Sequence, residues 1–383
     1  MIEYEKLPQI RWCSNCVVSS SSAVPVIFDE DGLCNACRVQ NQKIDIDWDE
    51  RLEMLLEDIE PYRNPTGYDC IVPVSGGKDS YYQVHFVKEK LGLKPLLVTY
   101  NGNNYLDVGW RNMMRMKEVF NTDHMIISPG VDFLIRMNRL CFRKHGDMNW
   151  QNHAGIFTAP MSVAVQMNIP LVFWGEHGFT DLGGMYSMHD FVEYTKRYRI
   201  DQAQHGFDWQ DWLGDDEDPV YEHELEWFKY PSDEAVERVG LRGLYIGNFD
   251  PWDATAHTKL VIEKYGWEPS PEPFERTYRR SSNLDDRYEN GAHDYLKWIK
   301  FGYGRATDHA CKDIRRGYMS REEGIEAVRK YDHIKSSDIR YWLGYVGRNE
   351  EWFDRIADGF RDRRVWMQDT DGSWHKRNIW DQA

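Results

Sequence analysis

The chain has 383 residues, 41% of them hydrophobic, and a formal charge of -16, so it is long enough to bury a large core in two or three domains. The acidity opposes unassisted binding to a phosphate backbone, where neutralisation by Lys and Arg dominates, and nucleic acid is therefore not an expected partner. No signal-peptide core stands out, nor any apolar run near the roughly 18 residues of a membrane span, so no membrane association is expected and the expected location is the cytoplasm.

In chain order, the first signal is a cysteine quartet. Cys13-Ser-Asn-Cys16 and Cys34-Asn-Ala-Cys37 are two C-x2-C turns separated by 17 residues, a spacing that suits four thiolates around one tetrahedral zinc. A reducing compartment disfavours disulfides there, and a site with no open ligand position is structural. Such sites contribute on the order of 10 kcal/mol in small zinc modules. Asp29-Glu-Asp-Gly32 reads as a turn between two short ribbons. Cys70 reads as an apolar filler in a strand, while Cys141 and Cys311 have no second thiol near them in sequence.

Residues 47–62 carry Leu52, Met54, Leu55 and Ile59 at helical intervals, and Pro65-Thr-Gly67 then interrupts the chain. The run Asp69 to Val74 is apolar enough for a buried strand, and it stops at Ser75-Gly76-Gly77-Lys78-Asp79-Ser80. Residues 81–90 have helical spacing, with Ser80 placed to cap them. The turn therefore lies at a helix N-terminus, where two glycines let free N–H groups and the positive end of the helix dipole face an anion. Its spacing is not that of a Walker loop, which needs four residues between its first glycine and Gly-Lys-Ser/Thr.

Beyond this turn, strands and helices alternate. Strands are predicted at 94–101, 125–128 and 169–175, with a helix at 108–120, and that order demands parallel strands joined by crossover helices. Ligands of such open sheets lie beyond the carboxyl ends of the strands, so Thr99 and Gly175 to His177 are expected to approach a nucleotide held at the turn. The segment at about 180–230 breaks the alternation and reads as an insertion covering the site; within it, Tyr186, His189, Glu193 and Tyr194 are candidates to touch a substrate. Its acidic run Asp215-Asp-Glu-Asp218 reads as a solvated loop. A strand-like run at 241–249 and a helix ending near Gly266 follow, and the remainder reads as helical, with Ser320-Arg-Glu-Glu323 a capping box. The expected division is 1–62 for the zinc ribbon and linking helix, 63–250 for the nucleotide domain with its insertion, and 251–383 for a mainly helical catalytic region.

That last region crowds cations, glycines and an Asp-His pair between Trp298 and Gly317. An anionic group leaving at the turn would build negative charge, and Lys300, Arg305 and Arg315 are the groups chosen to stabilise it. Asp308 and His309 either take a proton from an attacking amine or hold the arginines in place.

Ser75 to Ser80 resembles the PP-loop of the ATP pyrophosphatases, the group that includes NAD, GMP and asparagine synthetases. That resemblance implies an adenine-nucleotide alpha hydrolase-like fold: an open parallel sheet with helices on both faces. It also implies release of pyrophosphate from ATP, with AMP passed to a substrate oxygen. The residues Ser75, Gly76, Gly77, Lys78, Asp79 and Ser80 are then expected to bind ATP together with Thr99, Gly175 and Glu176, with Asp79 helping to hold magnesium. Glu176 and His177 remain open to ribose, metal or sugar.

Four stretches narrow the resemblance. The cysteine quartet with Asp-Glu-Asp-Gly-Leu-Cys-Asn-Ala-Cys, the loop, Phe-Trp-Gly-Glu176-His-Gly178, and Ile-Lys-Phe-Gly-Tyr-Gly-Arg-Ala-Thr-Asp-His together are similar to the N-acetyl sugar amidotransferases. By that resemblance the substrate is an N-acetyl sugar or nonulosonic acid of surface polysaccharide or flagellar glycan synthesis, whose acetamido group becomes acetamidino, and Tyr186, His189, Glu193 and Tyr194 become candidates to touch that sugar. Ammonia would come from separate partners similar to the glutaminase and cyclase subunits of imidazole glycerol phosphate synthase, and no glutaminase domain is visible in this chain. The rival is a tRNA thiolation enzyme, some of which join a zinc module to the same loop. Those enzymes need further thiolates, and only Cys70, Cys141 and Cys311 remain here, with no C-x2-C among them.

Overall fold

A computed structural model describes residues 9–102, 104–195, 198–200, 204–282 and 284–376, so both ends of the expected division lie partly outside the described residues. Its centre is a five-stranded parallel sheet: β1 (Cys70–Pro73), β2 (Pro95–Tyr100), β3 (His124–Ile127), β4 (Leu171–Trp174) and β5 (Arg242–Tyr245), in spatial order β3-β2-β1-β4-β5. Cys70 pairs with Pro95, Ile71 with Val172, and Leu171 with Arg242. The order reverses direction between β1 and β4, so the loop after β1 opens at the switch point, where open α/β sheets leave a crevice.

Alternation along the strands divides the core in two. Ile71, Val98, Val172 and Trp174 face one layer, which holds the helix Trp150–Met167 and the insertion. Cys70, Val72, Leu97, Leu171 and Phe173 face the other, which holds the helices Lys78–His85 and Ala254–Tyr265. Both faces of β1, β2 and β4 are thus covered, which is why these strands read as continuous apolar runs rather than alternating ones. The fold class drawn from sequence holds; β1, β2, β4 and β5 are shorter than their apolar runs, and β3 starts one residue earlier than expected. The carboxyl end of the 241–249 run, for example, turns into the short 3-10 helix Ile246–Asn248.

Three local readings need correction. Ser80 is not the N-cap: the helix starts at Lys78 behind Gly77, whose extended backbone (φ -69, ψ 167) makes the cap without a side chain. The Ser80 hydroxyl instead accepts the Ser75 N–H at 2.9 Å and closes the turn on itself. The acidic run is a solvated loop only in part: Asp216 and Glu217 are exposed, whereas Asp218 is fully buried and pairs with Arg139 at 2.5 Å and Arg143 at 3.1 Å, both on the helix Val131–His145. The C-terminal region is not wholly helical. After five helices between Glu289 and Asp358, the strands β6 (Trp366–Gln368) and β7 (Trp374–Lys376) form an antiparallel hairpin. Among the described residues no helix is long and apolar enough to cross a membrane.

Candidate active site and cysteine centre

The turn after β1 is shaped by its surroundings. Gly76 lies at φ +77, and a Cβ there would stand 2.6 Å from Met113 Cα, so the position accepts glycine and little else. Trp267 Nε1–H donates to the Gly76 carbonyl at 3.0 Å, fixing the turn from the other side. Lys78 Nζ pairs with Asp79 Oδ2 at 2.5 Å, while Asp79 Oδ1 is buried without a partner. That orphaned carboxylate oxygen fits a role in holding a hard cation such as magnesium, whose preferred ligands are oxygens.

A cavity of about 180 Å³ opens over the turn, lined by Ser75, Gly77, Lys78, Asp79 and Ser80 on one side and by Arg279, Ser281, Asp285 and His309 on the other. The far wall comes from the C-terminal region, so the sheet and that region build the cavity together. His309 Nδ1 shares a hydrogen bond with Thr277 Oγ1 at 2.6 Å. Burial, then the cations Arg279, Arg305, Lys312 and Lys78, hold its imidazole well below the usual range, so it stands neutral beside the Ser75–Ser80 turn. Burial pushes the Asp285 carboxyl up, against the pull of Arg305 and Lys78.

The remaining charges of the Trp298–Gly317 stretch separate into groups. Arg305 binds Asp294 at 2.7 Å and Asp308 at 3.5 Å, and Asp308 is held by Lys297 at 2.6 Å. Asp308 therefore serves the ion network in this structure and is not a free base. Lys300 does not reach the turn. Its ammonium donates to the carbonyls of His145 and Gly146, both at 3.3 Å, capping the helix Val131–His145, and burial lowers its pKa. Arg315 does not reach it either, because its guanidinium donates to Cys16 Sγ at 3.6 Å, Cys34 Sγ at 3.8 Å and the Asp181 carbonyl at 3.2 Å.

The cysteines themselves converge. All four sulfurs lie within 4.8 Å of one another and are buried, with Cys13 to Cys37 and Cys16 to Cys34 each at 3.8 Å. A tetrahedron built on zinc–sulfur bonds of about 2.3 Å has edges of about 3.8 Å, the separation that these two pairs already show, so the donor set and its spacing suit zinc. Backbone N–H groups of Asn15, Cys34 and Cys37 point at the sulfurs at 3.3 to 3.4 Å, and Arg315 adds a cation to the excess negative charge of four thiolates. Cys311, without a second thiol near it in sequence, packs in the same buried cluster as the quartet. The helix Arg305–Arg315 thus touches the cysteine centre at one end and places His309 in the cavity.

At the end of β4, Gly175 allows close packing, since a Cβ there would meet Trp252 at 2.7 Å. Glu176 receives Lys312 Nζ on both oxygens at 2.7 Å. Burial alone would raise its carboxyl, but Lys312, then Arg316 and Lys43, hold it ionised below the usual range. His177 is buried, bound to Thr180 Oγ1 at 2.6 Å through Nδ1, with Nε2 unpartnered and the Tyr186 ring 5.4 Å away. The Thr99 hydroxyl is engaged within the sheet: it donates to the Val74 carbonyl at 2.6 Å, which ties β2 to the end of β1, and lies 2.8 Å from His124 Nε2. Glu193 pairs with Arg242 at 2.6 Å, at the first residue of β5 and hence at the amino edge of the sheet. Tyr194 is core, stacked on Phe157 at 5.0 Å, and His189 is exposed. Of the four sugar candidates, only Tyr186 stands beside His177 at the carboxyl edge.

Several site residues were not singled out from sequence: Arg279, Ser281 and Asp285 in the cavity wall, and Lys297 and Lys312 in the ion pairs. The run Tyr278-Arg-Arg-Ser-Ser282 carried a signal, since paired cations and hydroxyls in an irregular stretch suit anions.

Residues 275–379 match the family model described as LPS biosynthesis protein WbpG-like, C-terminal domain. The match covers the cavity wall from Arg279 to His309 and agrees with the family resemblance carried by the motifs. No curated protein matches the sequence significantly. Among solved structures, the chain is similar to an NH3-dependent NAD synthetase from Campylobacter jejuni in complex with the nitrate ion, at 13% identity and a TM-score of 0.28, over 38% of this chain and 63% of that one. It is also similar to an NMN synthetase from Francisella tularensis, at 14% identity and a TM-score of 0.26, over 60% of this chain and the whole of the other. The chain spans less than two thirds of the first of these, and scores this low carry no argument about function.

Proposed function

We propose that the chain is an ATP-dependent amidotransferase that converts an acetamido group of an N-acetyl sugar into an acetamidino group, releasing AMP and pyrophosphate, in the synthesis of a surface polysaccharide or flagellar glycan. One observation carries the reading: the Ser75–Ser80 turn, at the switch point of a parallel sheet, shares a single cavity with Arg279 and His309 of the segment that matches the WbpG-like model.

The chemistry follows from the electrophile. An amide carbon resists ammonia because its oxygen leaves poorly. Transfer of AMP to that oxygen gives an imidate with AMP as leaving group; ammonia then adds, AMP departs, and a proton is lost to leave the amidine. In this chain the Ser75–Ser80 turn and the dipole of the helix behind it hold the phosphates, and Arg279 and Lys78 stabilise the charge that builds as pyrophosphate leaves. Asp79 would hold magnesium, which neutralises phosphate charge when bound. Neutral His309 is placed to donate to, or accept from, the reacting group without adding a charge. The cysteine centre would hold zinc in a structural role and keep the helix Arg305–Arg315 in register with the turn. Ammonia from partner glutaminase and cyclase-like subunits completes the reading.

The test is conversion of ATP to AMP by the purified chain with ammonium salt and a panel of acetamido sugar nucleotides and nonulosonic acids. Turnover with one of these supports the reading. Turnover only with tRNA would move the chain to the thiolation class.

A further inference from the structure

Four histidines from four separate parts of the chain meet beyond the amino end of the helix Trp150–Met167, outside the cavity described above. His153 lies in the first turn of that helix, His145 at the end of the preceding one, His205 in the insertion and His293 in the helix Glu289–Phe301. His205 Nε2 and His153 Nδ1 are 3.3 Å apart, and the His145 and His153 rings each lie 5.4 Å from that of His205. The His293 ring is edge-on to His153 at 6.2 Å, and its Nδ1 is bound by the Asp147 carboxylate at 2.9 Å. Asp147 is itself fixed by the Asn149 N–H at 3.0 Å, in a turn that Lys300 braces through the carbonyls of His145 and Gly146.

We propose that His153, His205 and His293 form a second metal site, for a divalent transition-metal ion such as zinc, with Asp147 orienting His293 from outside the ligand shell. Metal–nitrogen bonds of about 2.0 to 2.1 Å at a tetrahedral angle put two ligand nitrogens about 3.3 to 3.4 Å apart, the separation that His153 and His205 already show. A carboxylate on the far nitrogen of a ligating histidine fixes its tautomer and leaves Nε2 for the metal, and Asp147 does this for His293. Among the described residues only the cysteine sulfurs already stand within 4.8 Å of one another, so His293 has to move inward to complete the shell. Ligand nitrogens sharing one tetrahedral ion lie about 3.3 to 3.4 Å apart, so His293 has to close by about 1.4 Å or more on at least one of the other two. The proton now shared between His153 Nδ1 and His205 Nε2 moves through solvent to the donor ring's other nitrogen, so both imidazoles stay neutral as their lone pairs turn to the metal. Exposed His205 gives the ion a way in. Three imidazoles leave one position for water or a substrate oxygen, unlike the closed cysteine centre.

The experiment is metal content and cobalt spectroscopy on the full chain, reconstituted with Zn2+ or Co2+ and freed of excess ion. The expected result is two equivalents per chain. His205→Asn, at an exposed position, should bind one equivalent while retaining the thiolate-to-cobalt charge-transfer band, and Cys34→Ser should lose that band. Asp147→Asn should weaken the second equivalent about 10- to 100-fold in chelator competition, which separates loss of a ligand from loss of the fold. A wild-type chain binding one equivalent, removed by Cys34→Ser alone, would overturn the proposal, as would two equivalents retained in both His205→Asn and His293→Asn.

Discussion

Replacing Gly76 by alanine probes the turn where its geometry is tightest. The residue sits at φ +77, where an L side chain costs about 1 to 2 kcal/mol. The new methyl group would also stand 2.6 Å from Met113 Cα and Cβ and 2.7 Å from its backbone nitrogen, in the middle of the helix Asp107–Val119. No rotamer change relieves a clash with backbone, and forced overpacking of this kind costs about 1 to 3 kcal/mol. The combined penalty is about 2 to 5 kcal/mol, unless the turn lifts away from the helix. Lifting the turn breaks the Trp267 contact to the Gly76 carbonyl and disturbs the N–H groups facing the cavity. The neighbouring substitution supplies the control: Gly77 lies at φ -69, and a Cβ there meets nothing closer than Ser75 Oγ at 3.5 Å. Gly76→Ala is therefore expected to lower the denaturation midpoint and to lose ATP binding, measured by calorimetry, whereas Gly77→Ala keeps the wild-type midpoint. Equal midpoints and equal nucleotide affinity for Gly76→Ala and wild type would refute the assignment of this turn.

Other consequences are open to simpler assays. Arg315→Gln removes the cation that faces two sulfurs, and an expected loss of about 1.5 to 3 kcal/mol should appear as faster zinc release to a chelator; unchanged release would show that the thiolates need no such partner. The Glu176 carboxyl, buried yet held down by Lys312, has a folded pKa below its unfolded value near 4.3, so its contribution is complete above that value and disappears as pH falls through the depressed folded pKa. Acid unfolding of Glu176→Gln should accordingly be shallower than that of wild type below about pH 4, and superimposable acid limbs would contradict the pairing. Asp79→Asn leaves the Lys78 contact weakened and the cavity nearly unchanged in volume, and it should abolish pyrophosphate release while leaving the denaturation midpoint within about 1 kcal/mol; retained turnover would remove Asp79 from the chemistry.

Signals confined to neighbouring residues were the ones legible in the sequence. A buried strand followed by two glycines, and two C-x2-C turns at zinc spacing, each depend on residues that stay close when the chain folds. The parallel pairing of the strands followed because alternating strands and helices demand crossover connections. Side chains whose partners are distant in sequence were not legible. Lys300 and Arg315 sit in one basic run beside Arg305, but helical geometry sends them to three places: a helix end, a cysteine centre and an aspartate pair. Glu193 and Tyr194 lie among the aromatics of the insertion, and nothing local indicates that one reaches the amino edge of β5 while the other stacks in the core. The histidines at 145, 153, 205 and 293 are spread over well over a third of the chain, with no spacing to link them.

The account turns on one atom's fate, the acyl oxygen of the acetamido group. An acceptor carrying ¹⁸O in that group, incubated with the chain, ATP and ammonium, should deliver the label to AMP, read by mass spectrometry of the nucleotide. AMP free of label during productive turnover would contradict transfer of AMP to the sugar's acyl oxygen.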